Sequence, residues 1–297
     1  MIMVSPHINE AILDEKGNVC LNPNIIKSYK GELRGRRLVS LSIRRPTEFR
    51  AKYCHSYKIV NNEILRELIA SNQPLNNLIT TLVTDMSNLF KGINFEEKLD
   101  WDISTWDVSN VINMNNMFSR SFFDQKIGNW NVSKVTNMRS MFEHSYFNQP
   151  IENWNVSKVT NMRSMFEHSI FNQPIENWNV AKVKTMRSMF KGSKFDQPIG
   201  HWNVSSLKYT NQMFWSARFN QPIDSWNTKK VKTADQMFAI SEFNFPINKW
   251  NLDTMESMEF FFKDSAYDQT AENFIEKTKE ILKTTDLKEI KFYLGLS

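Results

Sequence analysis

The fold is decided by the stretch Phe147-Asn-Gln-Pro-Ile-Glu-Asn-Trp-Asn-Val-Ser-Lys-Val-Thr-Asn-Met-Arg-Ser-Met-Phe166, which recurs almost unchanged from Phe171 to Phe190. Tryptophan marks the same point of each copy, at Trp106, Trp130, Trp154, Trp178, Trp202, Trp226 and Trp250. Neighbouring tryptophans in this series are 24 residues apart. A fixed period of this length is typical of a solenoid, in which each repeat forms one coil and the coils stack.

The apolar residues of one repeat change their spacing halfway along it. Residues 151–156 read Ile-x-x-Trp-x-Val, the spacing of a leucine-rich-repeat strand with Trp and Val pointing inward. Val159, Met162 and Met165 follow at intervals of three, which suits one or two turns of α- or 3-10 helix facing the same core. We therefore expect a leucine-rich-repeat-like solenoid whose coils each contain a short β-strand and a short α/3-10 helix, with helical caps at both ends.

The repeat pattern also divides the chain. We expect a non-repeat N-terminal segment or small accessory domain, an N-terminal capping helix, an eight-coil solenoid, and a C-terminal capping helix and tail, over residues 1–57, 58–70, 71–268 and 269–297 respectively. Phe90 and Phe118 are 28 residues apart, which indicates a four-residue insertion near residues 96–100. At about 4.8 Å per stacked strand, the solenoid would be roughly 40 Å long.

Composition indicates an ordinary folded protein without a membrane span. Hydrophobic residues make up 41% and charged residues 23% of the chain, and no apolar run approaches the length needed to cross a bilayer. The first residues lack the pattern of a secretory signal, which favours a cytoplasmic location. Cys20 and Cys54 provide no disulfide framework and are expected to be free thiols.

The repeated motif, Phe-Asn-Gln-Pro-Ile-x-x-Trp-Asn-Val-Ser-x-Val-Thr-Asn-Met-x-x-Met-Phe, resembles the repeat of the BspA-like leucine-rich-repeat surface proteins of bacteria. The resemblance covers about residues 58–268. It implies a leucine-rich-repeat-like solenoid, a role in adhesion or protein binding, a surface or secreted location and no catalytic residues. The chain departs from this family in its period of 24 rather than 25 residues, its non-repeat residues 1–57 and the lack of a visible export signal.

The expected binding surface is the exposed side of the strand stack. One candidate set alternates with the inward Trp and Val residues and should therefore point outward: Asn131, Asn155, Asn179 and Asn203. These side chains would either hydrogen-bond up and down the stack or form a polar recognition surface. Lys134, Lys158 and Lys182 would add a basic stripe, which is either a site for an acidic partner or a solvated face. Trp215 replaces small or charged residues of other coils and is either an interface anchor or a cover for a neighbouring loop.

An alternative function rests on the N-terminal segment. Five arginines surround an alternating, strand-like stretch, Val39–Ile43, and could form a nucleic-acid or polyanion site: Arg34, Arg36, Arg37, Arg44 and Arg45. The same cluster could be a solvated face. The net charge of +5 permits nucleic-acid binding without arguing for it.

No catalytic, metal or cofactor motif stands out from the repeat. His144 and His168 occupy equivalent positions and should lie about 5 Å apart, but neighbouring coils supply Arg120 and Gly192 rather than further ligands. We therefore expect neither an enzyme nor a bound metal or cofactor. The expected partner is a protein, with nucleic acid as the less favoured alternative, and the chain would be a monomer or a weak end-to-end oligomer.

Overall fold

The computed structural model describes residues 12–13, 19–21, 55–95 and 101–296. Its strands and helices are β1 (Ile12–Leu13), β2 (Val19–Leu21), β3 (His55–Ile59), α1 (Asn62–Ala70), β4 (Leu78–Ile79), α2 (Glu272–Leu282) and α3 (Leu287–Leu294). The four strands form one sheet in the order β1-β2-β3-β4. The first two pairings are antiparallel, and the pairing of β3 with β4 is parallel.

Helix α1 begins where a side chain can satisfy its free amides. The Oδ1 atom of Asn61 accepts hydrogen bonds from the backbone N–H groups of Glu63 and Ile64, at 3.1 and 2.9 Å. Leu65 on the apolar face of the helix is fully buried. Asn62 Oδ1 accepts from the Thr84 N–H at 2.9 Å, which ties the helix to the first coil.

Between α1 and α2, each coil is joined to the next by parallel backbone bridges. The bridges pair equivalent residues, and each residue of the following series pairs with the next one named: Asp85, Asn113, Asn137, Asn161, Thr185, Tyr209, Thr233 and Ser257. Around each bridge, alternate amides bond to the following coil. In the coil centred on Trp154, four backbone N–H groups donate to carbonyls of the next coil at 2.7–3.1 Å. The pairs, donor first, are Met162 and Thr185, Ser164 and Arg187, Phe166 and Met189, and His168 and Lys191.

The amides between these donors close turns inside their own coil. Met165 donates to the Met162 carbonyl at 3.2 Å, and Glu167 donates to the Ser164 carbonyl at 3.3 Å. Ser164 and His168 have φ angles of 54° and 53°, in the left-handed region. A continuous right-handed helix cannot include such residues, so the backbone forms turns that also pair with a neighbouring coil.

These local elements differ from those expected from the sequence. Residues 151–156, expected as a strand, have turn and irregular backbone, and the pairing between coils lies in residues 160–168, expected as a helix. Trp154 explains part of the difference. Its backbone N–H bonds to Ile151 of the same coil, and its indole Nε1 reaches the Ile127 carbonyl of the preceding coil. The contact between coils at this point is therefore made by a side chain.

The core consists of aromatic rings that stack along the series of coils. Phe142 and Phe166 have ring centroids 5.7 Å apart and planes within 6°, and Trp154 and Trp178 are 6.4 Å apart and within 4°. Met162 and its equivalents fill the space beside these rings and are fully buried. Because one coil cannot enclose such large side chains, neighbouring coils stabilise each other by covering them.

Helices α2 and α3 cover the last coil. Phe274 of α2 packs on Phe261 and Phe262, with ring centroids 5.0 and 5.4 Å apart. Carbonyl groups at the end of α3 accept hydrogen bonds from two backbone N–H groups of the last coil, which has no further coil to pair with. Phe260 donates to the Tyr293 carbonyl at 2.5 Å, and Phe262 donates to the Leu294 carbonyl at 2.9 Å.

Candidate functional site

The candidate site is the outward surface of the segment that follows the tryptophan of each coil, or Leu78 in the first coil. We call it the ladder surface, and it comprises residues 79–87, 107–115, 131–139, 155–163, 179–187, 203–211, 227–235 and 251–259. In these segments the valines and methionines, such as Val156, Val159 and Met162, are buried. The residues between them are exposed or half-buried. The backbone bridges described above run through the same segments, so equivalent side chains lie one coil apart in rows.

The four asparagines predicted to line the surface are exposed, and they have a local structural role. Each Oδ1 atom accepts a hydrogen bond at 3.1–3.2 Å from the backbone N–H two residues further on, and these asparagines are Asn131, Asn155, Asn179 and Asn203. This is an Asx turn, which fixes the backbone after the tryptophan. In the described structure these oxygens therefore bond within their own coil rather than up and down the stack.

Side-chain ladders between coils occur at two other positions, which sequence reasoning missed. Asn137 Nδ2 donates to Asn113 Oδ1 at 3.1 Å, beside the bridge that joins their backbones. In a second row, Asn148 Oδ1 accepts from the Asn172 backbone N–H at 2.9 Å, and the next three coils repeat this contact. The signal of the second row was present in the sequence, because Asn or Asp recurs there every 24 residues from Asp124 to Asp268, whereas the first row has Asn only from Asn113 to Asn161.

The predicted basic stripe is present on the ladder surface. Lys134, Lys158 and Lys182 are all exposed. Lys134 Nζ donates to Asn110 Oδ1 of the preceding coil at 2.5 Å. In the part of the chain that the structure describes, none of the three lysines forms an ion pair. No carboxylate of the described residues therefore neutralises their charges.

Further cations enlarge this basic region. Arg139 and Arg163 are exposed, and the half-buried Arg187 lies over the Tyr209 ring, 4.7 Å from its centroid. Lys184 and Lys208 are also exposed and stand in a second row. The four segments from 131–139 to 203–211 contain these cations and no Asp or Glu. The second lysine row was missed because it begins only where Lys184 replaces a threonine.

The charge of the ladder surface reverses toward α2. Asp253, Glu256 and Glu259 are exposed in the last segment. Glu256 pairs with Lys232 of the preceding coil at 2.6 Å. At the opposite end, two large apolar side chains are exposed, Leu82 by 59% and Ile112 by 49%.

The two equivalent histidines stack on each other beside the ladder surface. The rings of His144 and His168 are 4.6 Å apart and within 21° of parallel. Burial lowers the pKa of His168, and the neighbouring His144 lowers it further, against an opposing contribution from Glu167. Among the described residues, no group of three or more His, Cys, Asp or Glu side chains is arranged to hold a metal ion.

Trp215 lies further along the stack and is half-buried. Lys191 Nζ is 5.0 Å from its ring centroid, and the same lysine is 3.5 Å from Glu167. One face of the indole is therefore covered by a cation. The predicted anchor is therefore in contact with a lysine that also pairs with Glu167.

The alternative polyanion site cannot be placed. Arg34, Arg36, Arg37, Arg44 and Arg45 all lie outside the described residues, as does the strand expected at Val39–Ile43. The insertion expected near residues 96–100 also lies outside them. In the described part of the chain, no helix has the length and apolar character to span a membrane.

The regularly recurring coils define a tandem-repeat protein. The chain belongs to the family described as "Mycoplasma protein of unknown function, DUF285", whose family model matches residues 61–173 and again residues 167–274. The two matches together extend over the stretch in which the 24-residue period occurs. Searches among curated proteins and among solved structures gave no match.

Proposed function

We propose that this chain is a non-catalytic, leucine-rich-repeat-like solenoid, akin to the BspA-like surface proteins, that binds a protein partner through its ladder surface. The observation that carries the proposal is the set of cations at equivalent positions of consecutive coils, where Lys134, Lys158 and Lys182 form no ion pair among the described residues. Placement in a family of repeat proteins is consistent with such a role.

The frame behind these cations supports binding because it fixes the backbone positions from which their side chains extend. Backbone hydrogen bonds of 2.7–3.1 Å join coil to coil around Met162 and Phe166, and stacked rings fill the space behind them. A surface that is ordered before binding loses little conformational entropy when a partner arrives.

Electrostatics supports an acidic contact on the partner. Like charges in neighbouring coils repel each other by about 1 kcal/mol per close pair in water, and salt screens this repulsion. An acidic group placed between Lys158 and Lys182 would relieve it, so complementary charge should raise both the association rate and the specificity.

The roles of the repeated polar residues support a non-catalytic scaffold. Asn155 closes a turn, Asn148 holds the amide of the next coil, and the Ser169 hydroxyl accepts the Phe171 amide. These side chains are used to hold the backbone. A catalytic group would instead need to be free to contact a substrate.

Capture from a lysate of the source cells tests the proposal. The wild-type chain is compared with Lys158→Glu/Arg163→Glu on the ladder surface, at low and moderate salt, with and without nuclease. The matched control is Lys126→Glu/Lys194→Glu, which makes the same change in net charge at exposed positions away from that surface.

We expect a discrete protein that survives nuclease and moderate salt, is lost with the ladder variant and is retained by the control. Recovery of nucleic acid alone, lost at moderate salt, would contradict the proposal. That result would favour the arginine cluster at Arg34–Arg45 as the functional site, because phosphate contacts weaken steeply with salt.

A further inference from the structure

One row of the ladder surface connects its different regions in a continuous line. Backbone hydrogen bonds of 2.7–2.9 Å link successive members of this row, which are Thr84, Ile112, Thr136, Thr160, Lys184, Lys208, Lys232 and Glu256. The row begins with Thr84 and the exposed Ile112, passes through two further threonines and three lysines, and ends in a carboxylate. Each backbone bond fixes the distance between neighbours, so this order is built into the surface.

The residues beside the row follow the same order. Leu82 is exposed at the apolar end, and Lys158 and Lys182 are exposed in the middle. Asp253 and Glu259 are exposed at the far end, and neither forms an ion pair among the described residues. The exposed side chains of the ladder surface are therefore apolar, then basic, then acidic along the stack. The carboxylates of its first two segments, Asp85 and Asp107, are half-buried, and Asp85 pairs with Arg66 at 3.9 Å.

This order matches a protein better than a uniform polyanion. Phosphates of a nucleic acid would be attracted to Lys158 and Lys184 but repelled by Asp253 and Glu259. They would also gain nothing from contact with Ile112. Protein interfaces, in contrast, combine apolar contacts with a rim of complementary charges that fixes the register of the partner.

Resting on the proposed protein-binding function, we propose that the partner presents a protein segment whose exposed side chains are apolar, then acidic, then basic in the direction from α1 to α2. Apolar side chains of that segment contact Leu82 and Ile112. Its carboxylates lie against the lysines around Lys184, and its basic groups contact Asp253 and Glu259. The acidic block must therefore be in the middle of the segment.

The length of such a segment follows from the stack. Eight coils contain seven steps of about 4.8 Å, or roughly 34 Å from the first coil to the last. An extended chain covers about 3.3 Å per residue, so ten to twelve residues reach from one end of the row to the other.

The test uses labelled twelve-residue peptides and fluorescence anisotropy on the full chain. One peptide has an acidic block of four residues between an apolar and a basic block. The control peptide has the same composition with the basic block in the middle, an order that reversal of chain direction cannot convert into the first. A twelve-nucleotide single-stranded DNA and vesicles with anionic lipid serve as competing ligands.

We expect the peptide with the central acidic block to bind about tenfold more tightly than its permuted control. The variant Asp253→Lys/Glu259→Lys should bind this peptide more weakly and the DNA more tightly than the wild type does. The control variant Glu176→Lys/Glu242→Lys, altered at exposed positions elsewhere, should bind the peptide no more weakly than the wild type. The variant Lys158→Glu/Lys184→Glu should weaken the binding of both the peptide and the DNA. Circular dichroism establishes that the variants fold.

Equal binding of the two peptides, no binding of either, or tighter binding of DNA or vesicles overturns the inference. The capture experiment separates its failure from failure of the proposed function. If a protein is captured through Lys158 and Arg163 but the order of blocks has no effect, only the ordered-segment inference fails. If nucleic acid is the ligand in both experiments, both proposals fail.

Discussion

Phe166 and Phe190 occupy the same position in neighbouring coils, and their rings lie 5.8 Å apart with planes within 5° of parallel. Both side chains are fully buried, and each also contacts the phenylalanine five residues further along the chain, with ring centroids 4.2–4.3 Å apart. The stack is therefore the structural element that supports the ladder surface, and its loss should be felt by both neighbouring coils.

Replacing Phe166 by alanine should cost about 3–5 kcal/mol of unfolding free energy, because a large cavity forms inside the ring stack. Tyr146 provides a matched aromatic control, since it exposes 54% of its surface. Tyr146→Ala should cost about 1 kcal/mol or less. Urea denaturation of both variants checks this, and equal losses would contradict the described core.

Replacement by phenylalanine should change the stability differently at two tryptophans that occupy equivalent positions. Trp178 Nε1 donates to the buried Ile151 carbonyl at 3.1 Å, whereas Trp130 Nε1 is buried without a hydrogen-bond partner in the described structure. Trp178→Phe therefore removes one of the two hydrogen bonds that the Ile151 carbonyl accepts, the other coming from the Trp154 N–H, whereas Trp130→Phe removes none. Trp178→Phe should therefore be less stable than Trp130→Phe by about 1 kcal/mol. The midpoints of denaturation of the two variants measure the difference directly. A larger loss for Trp130→Phe would show that the indole contact is misplaced.

Gly192 ends the row of stacked histidines for a steric reason. Its φ is +61°, and a Cβ atom added there would lie 2.3 Å from Nδ1 of His168. Gly192→Ala should therefore lose about 1–2 kcal/mol from the left-handed backbone alone, with the clash adding to it. In a His168→Ala background the clash disappears, so the second alanine should cost less. A double-mutant cycle that shows strict additivity would rule out the packing of His168 on Gly192.

The histidine stack should make stability depend on pH. Burial and the adjacent His144 hold the pKa of His168 below its usual 6.5, while Glu167 and Glu143 oppose this and Lys191 reinforces it. The unfolded chain then binds a proton more readily than the folded chain. This contribution to stability is complete above about pH 6.5 and is lost as the pH falls from 6.5 through the lowered pKa.

Thermal unfolding between pH 7.5 and pH 5 tests this dependence. The wild-type melting temperature should fall more across this range than that of His144→Gln/His168→Gln. An identical pH profile for the two proteins would show that protonation of His168 is not coupled to folding.

Sequence reasoning located the repeated units and the buried residues because both depend on simple periodicity. The spacing of Phe166, Met162 and Trp154 in each repeat identifies side chains that only a stack can bury. The start of α1 was also predictable, since Asn61 and Asn62 are good caps before an apolar face. These features depend on residue type and spacing alone.

The path of the backbone inside each coil could not be read in the same way. Apolar residues at intervals of three, as at Val159, Met162 and Met165, fit a helical turn and also fit the observed turns that pair with the next coil. The left-handed conformation of Ser164 and His168 decides between the helix and the observed turns, and it cannot be predicted from these two residue types. Repetition makes this conformation favourable, because each turned amide finds a carbonyl in the following coil.

The ladder surface was predicted in part. Lys134, Lys158 and Lys182 were identified because they are identical in consecutive copies. In the row that includes Lys184 and Lys208, the residue type differs between coils. A search for positions with the same residue in every copy of the repeat therefore does not find this row. Its order becomes meaningful only when backbone hydrogen bonds show that these residues are neighbours.

Cross-linking of the chain to its captured partner with a carbodiimide tests the central claim most directly, because it joins lysine amines to carboxylates in contact. Mass spectrometry should find the partner's Asp and Glu residues linked to Lys158, Lys182 and Lys184, with Lys126 and Lys194 unlinked. Links confined to lysines outside the ladder surface, such as Lys27, Lys30 or those of α2, would contradict binding through that surface.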